Sequence, residues 1–183
     1  LHSLFCFSMY ISKRALRKHF DPREYPPETY LLCELQWGGS DKVWQHWVRN
    51  YDYNYHAEEY FLQEIFEPRS YNICDMTWYL SWSPCDSCCR VIRDFLEDQP
   101  NVNIDIHVAR LYYEECESNR SALRELNTLQ GVNYLASVSP DYIYCWDTFI
   151  QPGVNYHFSP RSFESRIERN RLKLEDILRV STL

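Results

Sequence analysis

With 183 residues, 45% hydrophobic and 16% aromatic side chains and only four glycines, the chain has the apolar content of one packed domain rather than of a disordered or low-complexity protein. No run approaches the roughly 18 apolar residues of a membrane helix, and the opening Leu-His-Ser-Leu-Phe-Cys-Phe-Ser is too short and lacks the cationic lead of a secretion signal, so a soluble protein is expected. Nineteen Lys and Arg against 26 Asp and Glu leave a net charge of -7, so any grip on nucleic acid has to come from local charge.

The chain begins with Leu, and Met9 precedes the first patterned segment, so residues 1–8 are read as a processing or expression remnant and 9–183 as a single domain. Ser12 is a plausible N-cap for a basic helix to Phe20, with Ala15, Leu16 and Phe20 on one side; its four Lys and Arg read as a solvated face or as a local electrostatic footprint. Pro22, Pro26 and Pro27 make 21–28 a loop. Thr29 to Trp37 and Val43 to Val48, turned by Gly38-Gly39, read as a hairpin, and a tyrosine-rich loop holding Asn50 and Asn54 leads to His56. His56 opens an apolar run (Ala57, Tyr60, Phe61, Ile65) of helical period.

Residues 72–82 read as a strand through Ile73, Met76, Trp78 and Leu80, delivering a helix from Cys85 to about residue 98. Val102, Ile104, Ile106 and Val108 alternate as a further strand. A helix over 118–130 stops at Gly131, a strand runs from Val132 to Val138, Pro140 starts a helix to Ile150, and a charged helix runs from Arg161 to Arg179. Strands alternating with helices predict an α/β sandwich of five strands, partly parallel, and about six helices.

The chemistry concentrates between His56 and Cys88. His56, Cys85 and Cys88 supply three donors of a tetrahedral zinc site and leave the fourth position for water, the arrangement of a catalytic rather than a structural ion. Pro84 suits a helix start, and Cys85 and Cys88, three apart, face one side of its first turn, where the helix dipole favours thiolates. Glu58, two residues after His56, is placed to shuttle protons. A Cys-x-x-Cys pair alone is commonly a structural half-site, but the joint H-x-E…P-C-x-x-C pattern is the signature of nucleobase deaminases. Cys89 and Cys74 are the candidates for a fourth ligand; Cys89 turns about 100° from Cys88 and reads as core. The other cysteines (6, 33, 74, 89, 116, 145) read as buried free thiols in a reducing compartment.

These motifs, with Glu-Thr-Tyr-Leu-Leu at 28–32, Thr-Trp-Tyr-Leu-Ser-Trp-Ser-Pro-Cys at 77–85, Ala-Arg-Leu-Tyr at 109–112 and Tyr-Cys-Trp-Asp-Thr-Phe at 144–149, resemble the AID/APOBEC family of polynucleotide cytidine deaminases in the same order. The Ser-Trp-Ser-Pro-Cys form looks most like the activation-induced deaminase and apolipoprotein-B mRNA-editing branches. The resemblance implies a three-layer cytidine-deaminase-like fold, one catalytic Zn2+, and hydrolytic C-to-U conversion in single-stranded DNA or RNA, as in editing, mutation or viral restriction. In that reaction zinc-bound hydroxide attacks C4 while Glu58 protonates N3 and then the leaving amine.

By resemblance, Thr29, the Asn before the zinc His, Ala57, Ser83 and Tyr112 line the cytosine pocket; Arg49-Asn50 matches the family pair better than Asn54 does. Trp82 and Tyr112 are placed to stack on an extruded base, although a Trp in such a run is commonly core. Histidines 2, 19, 46, 107 and 157 read as surface or loop residues. A free-cytidine or nucleotide deaminase and a catalytically silent single-strand-binding module are the alternatives; the first suits the acidic charge, and Glu58 has no purpose in the second. The expected partner is single-stranded nucleic acid, with no membrane, in cytoplasm and/or nucleus.

Overall fold

A computed structural model describes residues 9–50, 54–69, 72–137, 141–153 and 159–179. The segment 1–8, Pro140, and histidines 2 and 157 lie outside the described residues. Five strands, β1 (Tyr30–Trp37), β2 (Val43–Arg49), β3 (Cys74–Leu80), β4 (Val102–Val108) and β5 (Val132–Ser137), form one sheet in the order β2-β1-β3-β4-β5. β1 is antiparallel to both neighbours, and β3, β4 and β5 are parallel, giving the expected mixed sheet. Six helices cover it: α1 (Lys13–Phe20), α2 (Ala57–Tyr60), α3 (Asp86–Asp98), α4 (Glu117–Thr128), α5 (Asp141–Phe149) and α6 (Glu164–Leu178).

The strand period of two sorts side chains between two cores. Leu31, Cys33 and Leu35 of β1, Met76, Trp78 and Leu80 of β3, and Val102, Ile104, Ile106 and Val108 of β4 pack against α2, α3 and α4. Leu32 and Tyr79, one position out of phase, meet Leu16 and Phe20 of α1 and Tyr142, Trp146 and Phe149 of α5 on the other face. Helix α6 crosses between them, with Ile167 in one core and Leu174 and Ile177 in the other. Ser12 caps α1 through its hydroxyl, which accepts from Ala15 N at 3.1 Å, and Arg14, Arg17 and Lys18 form the solvated face. Gly131 sits at φ 96°, where a Cβ would meet Val102 O at 3.1 Å, so glycine is needed between α4 and β5.

The structure corrects several expectations. The helix after His56 is α-helical only to Tyr60; Phe61–Ile65 forms a π turn, with Phe66 N donating to Phe61 O at 2.9 Å. The wider turn buries Phe66 while Ile65 stays half exposed. β3 starts at Cys74, leaving Ile73 58% exposed. His19 is not a surface residue: it lies on the same side of α1 as Leu16 and Phe20 and is 4% exposed. His46 and His107 stand on β2 and β4 and stack on Trp44 and Tyr79. Cys33, Cys74, Cys89 and Cys145 are buried and in no disulfide, but Cys116 is exposed at the N-cap of α4 and Cys6 lies outside the described residues.

Candidate active site

The start of α3, just beyond the carboxyl end of β3, meets the start of α2 through Cys85, Cys88 and His56, and the carboxyl ends of strands are where parallel sheets collect ligands. His56 is the N-cap of α2 and Cys85 the N-cap of α3; both have extended backbones, and neither side chain caps its own helix. Because neither side chain is taken up as a cap, the imidazole and the thiol face each other. Cys88, in the first turn of α3, turns to the same side. His56 Nδ1 lies 3.1 Å from Cys88 Sγ and 3.5 Å from Cys85 Sγ.

These three donors lie within 4.8 Å of one another and can hold a metal ion. Donors on a tetrahedral zinc with bonds of about 2.1 Å to nitrogen and 2.3 Å to sulfur are roughly 3.6 Å apart, so the group fits with little movement. Neither proposed fourth ligand joins them: Cys89 Sγ donates to Pro84 O at 3.8 Å, and Cys74 begins β3 at the far end of the strand. Among the described residues the group is therefore three donors, and a tetrahedral ion held by them would keep one position for water. The hydrogen bond from Cys88 holds the Cys85 thiol down at about 4, and the same bond and burial push Cys88 up.

Glu58, the second residue of α2, is 3% exposed, and its Oε2 accepts from Cys88 Sγ at 3.5 Å. Burial pushes its carboxyl up to about 7, so it can hold or yield a proton near neutral pH.

The remaining predicted residues fall into two groups. Thr29 and Asn50 pair across the mouth of β1 and β2: Thr29 N donates to Asn50 Oδ1 at 2.9 Å and Asn50 N to Thr29 O at 3.1 Å. Asn54 is exposed. Ala57, fully buried, starts α2 between His56 and Glu58. On the other side Ser83, buried, accepts from Tyr112 N at 2.8 Å through its hydroxyl. Trp82 is half-buried rather than a core residue, that place being taken by Trp78; its indole donates to Pro26 O at 3.0 Å, and Tyr112 meets it edge-on at 6.1 Å. Trp82, Tyr112 and Tyr25 wall an open cleft of about 510 Å³ with Arg166, Arg169 and Lys173 of α6 along its far side. None of the three donors lines this cleft; Tyr112, which does, has its phenol raised first by burial and then by Tyr113 and the nearby sulfurs of Cys85 and Cys88.

Sequence reasoning assigned no role to Asn119 or Arg110. Asn119, buried in the first turn of α4, accepts from Asp86 N at 3.0 Å and donates to Tyr112 O at 3.2 Å, tying the start of α3 to the cleft. The signal was an Asn inside a helix, where its amide competes with the backbone. Arg110 is buried behind Trp82.

Residues 19–152 match the family model described as APOBEC4-like AID/APOBEC deaminase. Among curated proteins, the C-to-U editing enzyme APOBEC-1 of Mus musculus is 40% identical over 146 residues, covering 78% of this chain and 62% of that protein. The enzyme of the same name from Rattus norvegicus is 40% identical over 134 residues (72% and 57%), and that from Homo sapiens 37% identical over 144 residues (76% and 60%). The chain thus spans about six-tenths of the length of the curated relatives it matches.

Proposed function

The chain belongs to the APOBEC4-like AID/APOBEC deaminase family, and on that premise we propose that it converts cytosine to uracil in single-stranded polynucleotide by hydrolysis, releasing ammonia. One observation carries the reading: three donors that can hold a metal ion stand against the buried carboxyl of Glu58.

His56, Cys85 and Cys88 would hold a zinc ion, which when bound activates water for attack near neutral pH. Glu58, poised near neutrality, would accept one proton of the attacking water and deliver it to N3 as the water oxygen bonds to C4, then take the remaining proton of that oxygen and pass it to the amine, which leaves as ammonia while the C4=O bond forms. Its burial excludes bulk water that would otherwise exchange the proton. Trp82 and Tyr112 supply rings for the extruded base, worth about 1–3 kcal/mol per stacked ring. Ser83 and the Thr29–Asn50 pair fix the walls from which the pyrimidine edge is read. The relatives' names describe C-to-U editing, and the open cleft, where Arg166 and Arg169 stand beside Lys173 paired with Glu114 and the cations outnumber Glu114 and Glu115, suits a strand rather than an isolated nucleoside.

The test is turnover of a single-stranded DNA oligonucleotide with one cytosine, beside the RNA of the same sequence, free cytidine, and a Glu58→Gln control. Uracil that forms in either polynucleotide and is lost in the control supports the proposal. Turnover of cytidine alone replaces it with a nucleoside deaminase, and no turnover with zinc bound replaces it with a binding module.

A further inference from the structure

The Ala-Arg-Leu-Tyr segment contains a cation at the end of β4 that the reaction outlined above does not use. Arg110 is 2% exposed, and its guanidinium sits against main-chain carbonyls. Nε donates to Ser81 O at 3.1 Å; one terminal nitrogen donates to Asp21 O at 3.1 Å and Glu24 O at 2.8 Å; the other donates to His19 O. His19 and Asp21 stand at the C-terminus of α1, the negative end of its dipole, so a buried cation is favoured there. Burial lowers the guanidinium only to about 10, leaving it charged.

All these bonds converge on one neighbour. The guanidinium carbon lies 4.5 Å from the centre of the Trp82 ring. The residues on either side of Trp82 are also held by Arg110, Ser81 through the side-chain bond and Ser83 through its N–H, which donates to Arg110 O at 2.8 Å. The indole's own acceptor, Pro26 O, belongs to the loop whose carbonyls Arg110 gathers. We propose that Arg110 is a positioning residue for the reaction: it clamps the end of α1, the 21–26 loop and the inner face of Trp82, so that the wall of the cleft stands assembled before a strand arrives.

The catalytic consequence of this clamp rests on the deaminase reading, although its geometry does not. Arginine is required because its planar fork spans separate carbonyls, whereas a lysine brings three donors to one point. The experiment is hydrogen exchange and steady-state kinetics on Arg110→Lys, Trp82→Phe and the double variant, with the single-cytosine DNA oligonucleotide as substrate. The expected result is faster exchange confined to 21–28 in both single variants, and a KM raised about tenfold in Arg110→Lys with kcat changed less than about threefold. The effects in the double variant should be well short of their product, because both substitutions disturb one wall.

Exchange that accelerates equally through β3 and β4 would make Arg110 a core residue only and overturn the proposal. So would unchanged exchange at 21–28, a loss confined to kcat, or independent effects in the double variant. Should Arg110→Lys fail to fold, the Trp82→Phe protein decides by itself: faster exchange at 21–28 supports the clamp, and unchanged exchange refutes it. Failure of the wild-type protein to turn over any oligonucleotide defeats the deaminase reading and with it any catalytic consequence of the clamp, whatever exchange shows.

Discussion

The carboxyl of Glu58 accepts a hydrogen bond from Cys88 Sγ at 3.5 Å, so the proposed proton carrier and one of the three candidate metal donors share one buried contact. Glu58 comes from α2 and Cys88 from α3, and both lie in first turns. Replacing Glu58 by Gln keeps the shape and removes the basic oxygen. Turnover is expected to fall by at least about 10²–10⁴-fold, the usual contribution of a general acid–base. Zinc content, measured by atomic absorption, should stay at one ion per chain in the variant; loss of the ion would show that Glu58 holds the donors in place instead.

The metal group joins the starts of α2 and α3, so a bound ion acts as a cross-link between two helices of one core. An ion at about 1,000 times its Kd stabilises by about 4 kcal/mol. For a domain of this size, removal by a chelator should then lower Tm by on the order of 10 °C. Cys88→Ser should melt at the chelated temperature with or without added zinc. A Tm indifferent to chelator would mean that the donors do not bind the ion.

Trp82 and Tyr112 form one corner of the cleft, ring centres 6.1 Å apart at 79°. Truncating either to Ala should weaken oligonucleotide binding by about 1–3 kcal/mol, a five- to 150-fold rise in Kd by fluorescence anisotropy. Trp78→Ala, in the core beneath, should instead cost about 3–5 kcal/mol of stability in denaturant titration. Equal effects of Trp82→Ala and Trp78→Ala on stability would return Trp82 to the core.

The donors were legible because a metal site built on helix starts leaves its ligands two and three residues from marked neighbours: His56 beside Glu58, and Cys85 and Cys88 after Pro84. Strand periodicity likewise revealed β4, whose four apolar side chains alternate without a break. The π turn at Phe61 was hidden, since a change of hydrogen-bond register leaves the apolar count intact. Arg110 and Asn119 were hidden for a different reason: their partners are backbone groups brought close by the fold, as with Arg110 and His19 O, 91 residues apart. A carbonyl acceptor leaves no trace in side-chain identity. His19 was misread because its neighbours Lys18 and Arg17 are charged, although its spacing from Leu16 put it on the inner face.

Asn119 offers a stability test of the link between α3 and the cleft. Its amide is used at both ends, by Asp86 N and Tyr112 O, in a buried setting. Asn119→Ala leaves both backbone groups without that partner and should cost about 1–3 kcal/mol in urea unfolding. Asn119→Asp keeps the acceptor for Asp86 N and loses the donor for Tyr112 O, so it should recover part of the loss. A full recovery would assign the whole effect to the start of α3.

His19 ties stability to pH. Burial lowers its imidazole to about 4 from 6.5, outweighing the attraction of Glu28, whose carboxylate lies 3.6 Å from Nε2. The folded chain therefore binds fewer protons at this site than the unfolded chain between pH 6.5 and 4. Stability from this residue is fully present above pH 6.5 and is lost as pH falls toward 4. At about 1.4 kcal/mol for each tenfold difference in proton affinity between the folded and unfolded chain, the loss by pH 4 is on the order of 3 kcal/mol. Urea titrations at pH 7, 6 and 5 should show this decline in the wild type and a flatter course in His19→Phe, which keeps a ring against Tyr30, 4.1 Å away. Parallel declines in the two proteins would place the acid sensitivity in other groups and leave His19 neutral to the linkage.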